Sequence, residues 1–228
     1  MHWLEKWVIP PRCVITQEAT LERDLSESQI GQLFTPVGVC PQCCEPSFGA
    51  KVCGACLAQP PAFDRTQVAY YFEAPLTQLV YDLKYHQQHA NARLLADLLA
   101  EQLDVTEVQA LIAIPIHPLR RKQRGFNQAW LIAKRLSKVL NIPLIEKVVE
   151  RVAHTPSQTQ LTAKARAQNL KKAFAVHPAH AQRLHGLQHV ALVDDVMTTG
   201  ATMHEVAKQL KQHSAIKVVE AWAVAKTE

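Results

Sequence analysis

At 228 residues and 48% hydrophobic content the chain is long enough to bury a full core, as one large domain with or without a small module. No apolar run approaches the roughly 18 residues of a membrane span, and the start, MHWLEKWVIPPRC, breaks its apolar residues with charge, so a cytoplasmic location is the default expectation. The net charge of +5 is unevenly spread: residues 1–60 hold four Lys/Arg against six Asp/Glu, whereas residues 108–193 hold fourteen Lys/Arg against Glu146 and Glu150 alone. A span so poor in acids reads either as a solvated basic surface or as a site for anions, meaning diphosphate, nucleic acid or both.

Trp3 and Trp7, at i and i+4, share one face of a short helix if one forms there. Cys40-Pro-Gln-Cys43 and Cys53-Gly-Ala-Cys56 follow, separated by nine residues. Two C-x2-C knuckles place four thiolates on two tight turns, the arrangement tetrahedral zinc needs, and with all four positions filled by protein the site is structural. Cys44 is an alternative to Cys43, and a pair of redox-active dithiols is an alternative to a metal site. Cys13 has Thr16 where a second cysteine would complete another knuckle, and is read as a free buried thiol. Gln59-Pro60-Pro61 marks a stiff boundary, dividing residues 1–60, a zinc-ribbon-like module, from residues 61–228.

Beyond the boundary, Val68–Phe72 suits a strand. Leu76, Leu79, Val80 and Leu83 lie on one helical face, and Asn91–Leu103 repeats the pattern through Leu94, Leu95, Leu98 and Leu99. Leu111–Ile116 is a short apolar strand whose Pro115 ends its ladder. His117–Gln128 follows as a loop carrying Arg120, Arg121, Lys122, Arg124 and Gly125, before Ala129, Trp130, Ala133 and Leu136 mark a further helix with Trp130 at a core spacing. In Arg124-Gly125-Phe126-Asn127-Gln128, the glycine permits close backbone approach to a ligand and the two amides offer donors. Ile216–Ala225 is a last strand.

Val190–Thr202, VALVDDVMTTGAT, is the organising stretch: a buried parallel strand, paired carboxylates, then a hydroxyl-rich loop with one glycine. Met203, Val206, Ala207 and Leu210 continue it as a helix, with Thr202 and Glu205 in capping-box spacing. A loop of Thr198, Thr199, Gly200, Ala201 and Thr202 opening a helix turns backbone N–H groups and the helix dipole toward one point, which suits a phosphate. Asp194 and Asp195 stand where sugar hydroxyls beside that phosphate would reach them. In a parallel sheet this loop and the basic one after Ile116 meet at the carboxyl ends of the strands.

The stretch resembles the PRPP (phosphoribosyl-diphosphate) motif of type I phosphoribosyltransferases. That resemblance implies an α/β parallel-sheet domain in which Asp194 and Asp195 hold the ribose hydroxyls and Val196, Met197, Thr198, Thr199, Gly200, Ala201 and Thr202 form the 5′-phosphate loop. With the four-cysteine module and the R-G-F-N-Q element, the chain is similar to the competence protein F family, the ComFC/GntX-like proteins, from about Cys40 to the end. By position, Pro115–Arg121 is then the diphosphate-side loop, contributing His117, Arg120 and Arg121, with Arg124 in the hallmark segment. A segment that closes over diphosphate in the related transferases corresponds to residues 150–190, where Gln160, Lys164, Arg166 and Asn169 match; an ordinary amphipathic helix is the other reading there.

Two functions follow from the resemblance. One is a competence protein handling incoming single-stranded DNA in natural transformation, with PRPP as a retained ligand and Lys122, Arg124, Lys134, Arg135, Lys171 and Lys172 as candidate DNA contacts. The other is an active transferase displacing diphosphate from PRPP with Mg²⁺, Asp194 and Asp195 being the catalytic carboxylates and the acceptor unidentified. An adaptor for other competence-machinery proteins is a third class. His154, His177, His180, His185 and His189 show no metal-ligand spacing.

Overall fold

The computed structural model describes residues 11–20, 24–152 and 173–227. Trp3, Trp7, His154, Lys164, Arg166, Lys171, Lys172 and the whole Gln160–Asn169 pattern lie outside the described residues. The chain runs through α1 (Glu27–Ile30), α2 (Gly54–Ala58), β1 (Arg65–Tyr71), α3 (Leu76–Tyr85), α4 (Ala90–Ala100) and β2 (Ala110–Ala113). It continues through α5 (Pro118–Arg124), α6 (Gln128–Leu140), β3 (Val149–Arg151), β4 (Phe174–Val176), β5 (His189–Met197), α7 (Ala201–His213) and β6 (Val218–Lys226).

β1, β6, β5 and β2, in that spatial order, form a parallel sheet, and β3 and β4 pair as a small antiparallel ribbon. Helices cover both faces, so the central strands are apolar throughout rather than alternating: β6 is buried from Val219 to Lys226, and β5 from Val190 to Val193. The pleat still sorts side chains. Ala191 and Val193 face a core made with α3, α4 and α6, whereas Val190 and Leu192 face a second core with α7 and the ribbon. The apolar stripes read from the sequence are largely the faces that pack: Leu76, Leu79, Val80 and Leu83 on α3, Leu94, Leu95, Leu98 and Leu99 on α4, and Ala129, Ala133 and Leu136 on α6 are all buried.

β2 stops as Pro115 requires, with one more ladder bond from Ile114 N–H to Val193 O at 2.9 Å. The segment after it differs from expectation, because Pro118–Arg124 is helical rather than a loop. His117 Nδ1 accepts from Leu119 N–H as the N-cap, Pro118 takes the first turn, where no amide donor is needed, and Gly125 closes the helix at φ 83°. The expected capping box at Thr202 and Glu205 is also absent. α7 starts two residues earlier, with Gly200 as its N-cap in the left-handed region and no side-chain cap bond.

The amino-terminal residues do not stand clear of the sheet. Cys13 and Leu25 belong to the core under α3 and α4, and Cys44 belongs to the other core beside Phe63. Along the outer edge of β1, Tyr71 N–H donates to Phe34 O and Thr66 N–H to Pro41 O, each at 2.8 Å. Lys226 Nζ, at the end of β6, is 2.7 Å from Glu45 Oε1. The module therefore caps the free edge of β1, where open donors and acceptors would otherwise invite a foreign strand.

Candidate functional site

β5 carries both carboxylates inside the strand, and the pleat sends them to opposite faces. Asp195 shares the face of Ala191 and Val193, and Lys84 of α3 comes to it there, Nζ to Oδ2 2.5 Å. Asp194 shares the face of Val190 and Leu192, toward the β3–β4 ribbon. Its Oδ1 accepts from Asp195 N–H at 2.9 Å. Burial first, then the neighbouring Asp195 charge, holds the Asp194 carboxyl well above its ordinary pKa, with Lys84 opposing the shift. A group with that preference favours ligands that accept its proton or bring a cation.

Across from Asp194 stands a group of guanidinium ions. Arg151, at the end of β3, lies over the Phe174 ring at 5.4 Å. Burial and the nearby Arg120 lower its pKa, while Asp194 acts the other way. Arg120 is lowered by burial and by Arg124. Crowded, partly desolvated cations of this kind are stabilised by an anion arriving among them. Beyond β5 the chain turns through Thr198 and Thr199, both exposed, into buried Gly200 at φ 71° and the first turn of α7. A Cβ on Gly200 would lie 3.3 Å from the Phe63 ring, so both its backbone angle and its surroundings favour glycine.

The structure thus brings Asp194, Asp195, Arg120 and the Thr198–Thr202 loop to one end of the sheet, and adds Lys84 and Arg151. Neither added residue was legible in the sequence: Lys84 reads as the polar end of an amphipathic helix, and Arg151 as one more charge in a basic span. His117 is 9% exposed and spends Nδ1 on its helix cap. In the Arg124–Gln128 segment the Asn127 amide is committed to the protein, donating to Ile114 O at 3.0 Å and accepting from Ala129 N–H at 3.1 Å, so it positions the loop rather than offering a donor to a ligand. Arg121 and Lys122 are exposed on α5. Arg135 is bound through both Nε and Nη2 to Asp97, at 2.7 and 2.9 Å, so its charge is already matched within the α4–α6 contact. Lys134 sits over the Trp130 ring at 4.8 Å.

Trp130, expected in the core, is only half-buried. Its Nε1 donates to Glu146 Oε1 at 2.6 Å, and it lines a cavity of about 520 Å³ with Ile112, Phe126, Ile145, Arg121 and Arg151. That cavity lies behind α5 and reaches the guanidinium group through Arg151.

The second centre lies in the amino-terminal module. The Sγ atoms of Cys40, Cys43, Cys53 and Cys56 all fall within 4.8 Å of one another, with Cys43 and Cys53 at 3.6 Å. Four sulfurs bound at about 2.3 Å to a tetrahedral ion stand at such separations, so the set fits a metal ion. The geometry chooses Cys43 over Cys44, which turns away at φ 59° into the core and whose thiol is pushed up to about 11, chiefly by burial. Among the four, burial tends to raise Cys40, but backbone N–H donors from Cys53, Cys43 and Gln42 outweigh it and bring the thiol down to about 7. Burial raises Cys43 to about 11. Cys13 lies apart, its Sγ 3.4 Å from Thr16 N; there burial is outweighed by the Thr16 side chain first and then by backbone donors, and its pKa falls to about 7.

Among the described residues no helix is long and apolar enough to cross a membrane. The phosphoribosyl transferase domain family model matches residues 127–228, which include β5, its carboxylates and the Thr198–Thr202 loop. Competence protein F of Haemophilus influenzae is 37% identical over 191 residues, covering 80% of this chain and 81% of its own length. The DNA utilization protein YhgH of Salmonella typhimurium is 33% identical over 199 residues, covering 84% and 85%. Competence protein ComFC of Bacillus subtilis matches at 30% over 100 residues, or 44% of this chain and 37% of that protein. With its four-cysteine amino-terminal module and a phosphoribosyl transferase domain behind it, the chain belongs to the competence protein F family.

Proposed function

We propose that this protein binds PRPP at the carboxyl end of its sheet and handles single-stranded DNA in the cytoplasm during natural transformation. One observation carries the PRPP part: paired carboxylates near the end of β5 lead into a glycine-capped helix N-terminus, and Asp194 faces a cluster of guanidinium ions. Asp194 and Asp195 accept the ribose hydroxyls, the amides of Thr198–Thr202 hold the 5′-phosphate, and Arg120, Arg121, Arg124 and Arg151 meet the diphosphate. Arg151 is added to the set read from the sequence. Lys84 fixes Asp195 and leaves Asp194 the more responsive of the pair. Mg²⁺, when bound with PRPP, supplies further charge neutralisation on the diphosphate. The DNA part rests on family membership and on the basic α5 with Lys122 exposed. Cys40, Cys43, Cys53 and Cys56 hold a structural zinc that locks the module onto the edge of β1.

A second reading is an active transferase, favoured by the cavity that adjoins Arg151 and has room for an acceptor. In that reaction the bond from ribose C1 to the diphosphate oxygen breaks, the diphosphate leaves with the electron pair, and an acceptor lone pair forms the new bond to C1. The arginines stabilise the departing charge, and the two carboxylates hold the ribose as C1 becomes cationic.

Calorimetric titration with PRPP and Mg²⁺ tests the proposal. Wild-type binding that vanishes in a folded Asp194→Ala/Asp195→Ala variant is the expected result, and release of diphosphate in an acceptor screen identifies the transferase. Failure of the folded wild type to bind PRPP overturns the assignment.

A further inference from the structure

The outer face of α3 is used by neither the carboxylate site nor the cysteine centre. Tyr81 and Tyr85, one turn apart, are 50% and 58% exposed, although the opposite face of the same helix buries four aliphatic side chains. Their rings stand 4.8 Å apart at 45°, His86 meets Tyr81 edge-on at 5.2 Å, and the Arg124 guanidinium lies 5.3 Å over Tyr85. Four planar groups therefore follow one another across the surface. Asp82 is the acid on this helix, and its carboxylate is taken by Gln78 Nε2 and His86 Nδ1, each at 2.9 Å. The flanking charge is positive, since α5 brings Arg120, Arg121 and Lys122 alongside Arg124. Lys84, between the two tyrosines, reaches back to Asp195.

We propose that Tyr81, Tyr85, His86 and Arg124 form a stacking platform for the unpaired bases of single-stranded DNA, whose phosphates run along the cations of α5. Every base has a π face, so such a surface takes strands of any sequence, while a cationic border tracks the backbone. A duplex keeps its base faces stacked on each other and offers the tyrosines nothing, so the platform selects single strands. An apolar protein partner would not call for a guanidinium over one ring and a row of cations beside it. The inference rests on the single-strand part of the proposed function; it shares the α5 cations with the diphosphate side of the carboxylate site, whereas Tyr81 and Tyr85 belong to the platform alone.

Fluorescence anisotropy with a labelled oligothymidine measures the affinity of wild type, Tyr81→Ala/Tyr85→Ala and Tyr81→Phe/Tyr85→Phe. The alanine pair is expected to lose roughly tenfold to a hundredfold, the phenylalanine pair to bind as wild type, and a duplex of the same length to bind weakly. In a second measurement, independent of any variant, a bromodeoxyuridine-substituted strand is photo-crosslinked to the wild-type protein, with adducts expected on Tyr81 or Tyr85. Wild-type affinity in the alanine pair, no single-strand binding by the wild type, or adducts confined to other surfaces overturns the platform. PRPP titration of the same proteins separates the two readings. PRPP binding without strand binding sinks the platform alone, and strand binding lost with the tyrosines in a protein that ignores PRPP sinks the carboxylate site alone.

Discussion

The cysteine centre and the carboxyl end of the sheet both gather ionisable side chains around a point, yet they are assembled over very different stretches of chain. The centre draws four thiols from residues 40 to 56, on turns made by adjacent residues. The sheet end draws on residues 84, 120, 151 and 194–202, which come from a helix on one face, a helix after an edge strand, a two-stranded ribbon and a central strand. A local centre depends on its ligand for order, whereas a site spread over a packed sheet is held by the core whether or not a ligand is there. The two regions should therefore respond in opposite ways when their charges are disturbed.

The largest effect expected is metal removal. Because the module pairs with β1 and adds Cys44 to a core, chelation should cost several kcal/mol, lowering the melting temperature by roughly 10 °C or more in scanning calorimetry. Cys43→Ala should lose the metal in elemental analysis. Cys44→Ala should retain it, and a metal-free Cys44→Ala protein would reverse the choice between them. Next is Lys84→Met, which leaves the largely buried Asp195 carboxylate without its cation and should cost about 3 kcal/mol. Adding Asp195→Asn should restore most of that in denaturant unfolding, and a double variant no more stable than the single would remove the pairing argument. Gly200→Ala, strained by φ and by the Phe63 ring, should cost on the order of 1–2 kcal/mol by the same measurement.

The smallest effect, Asp194→Asn, has the opposite sign. Asp194 is held above the ordinary carboxyl value of 3.8, so the fold prefers the protonated acid; that contribution is complete below 3.8 and is lost as pH rises through the folded-state pKa. The neutral amide escapes this loss. Asp194→Asn should melt higher than wild type at neutral pH, with the difference closing as pH falls toward 3.8, while PRPP binding is weakened. A lower melting temperature at every pH would show that the carboxylate is compensated in the unliganded protein, and would make the sheet end resemble the cysteine centre after all.

Local chemistry was readable from residue order alone. The two knuckles, the apolar stripes of α3, α4, α6 and α7, the β2 stop at Pro115 and the strand–carboxylate–glycine loop each depend on neighbours within a few residues, and spacing states such relations directly. Even α5 was signalled by Pro118 and Gly125, a start and a stop that the density of positive charge between them obscured. Tertiary structure decided what no spacing expresses. It split Asp194 from Asp195 across the sheet because successive side chains of a strand point to opposite faces. Chain segments far apart then supplied each carboxylate with a different cation, Lys84 on one face and Arg151 toward the other. It matched Arg135 to Asp97, left Tyr81 and Tyr85 on the surface, and turned Cys44 away from the sulfurs, because burial and pairing are properties of the packed chain.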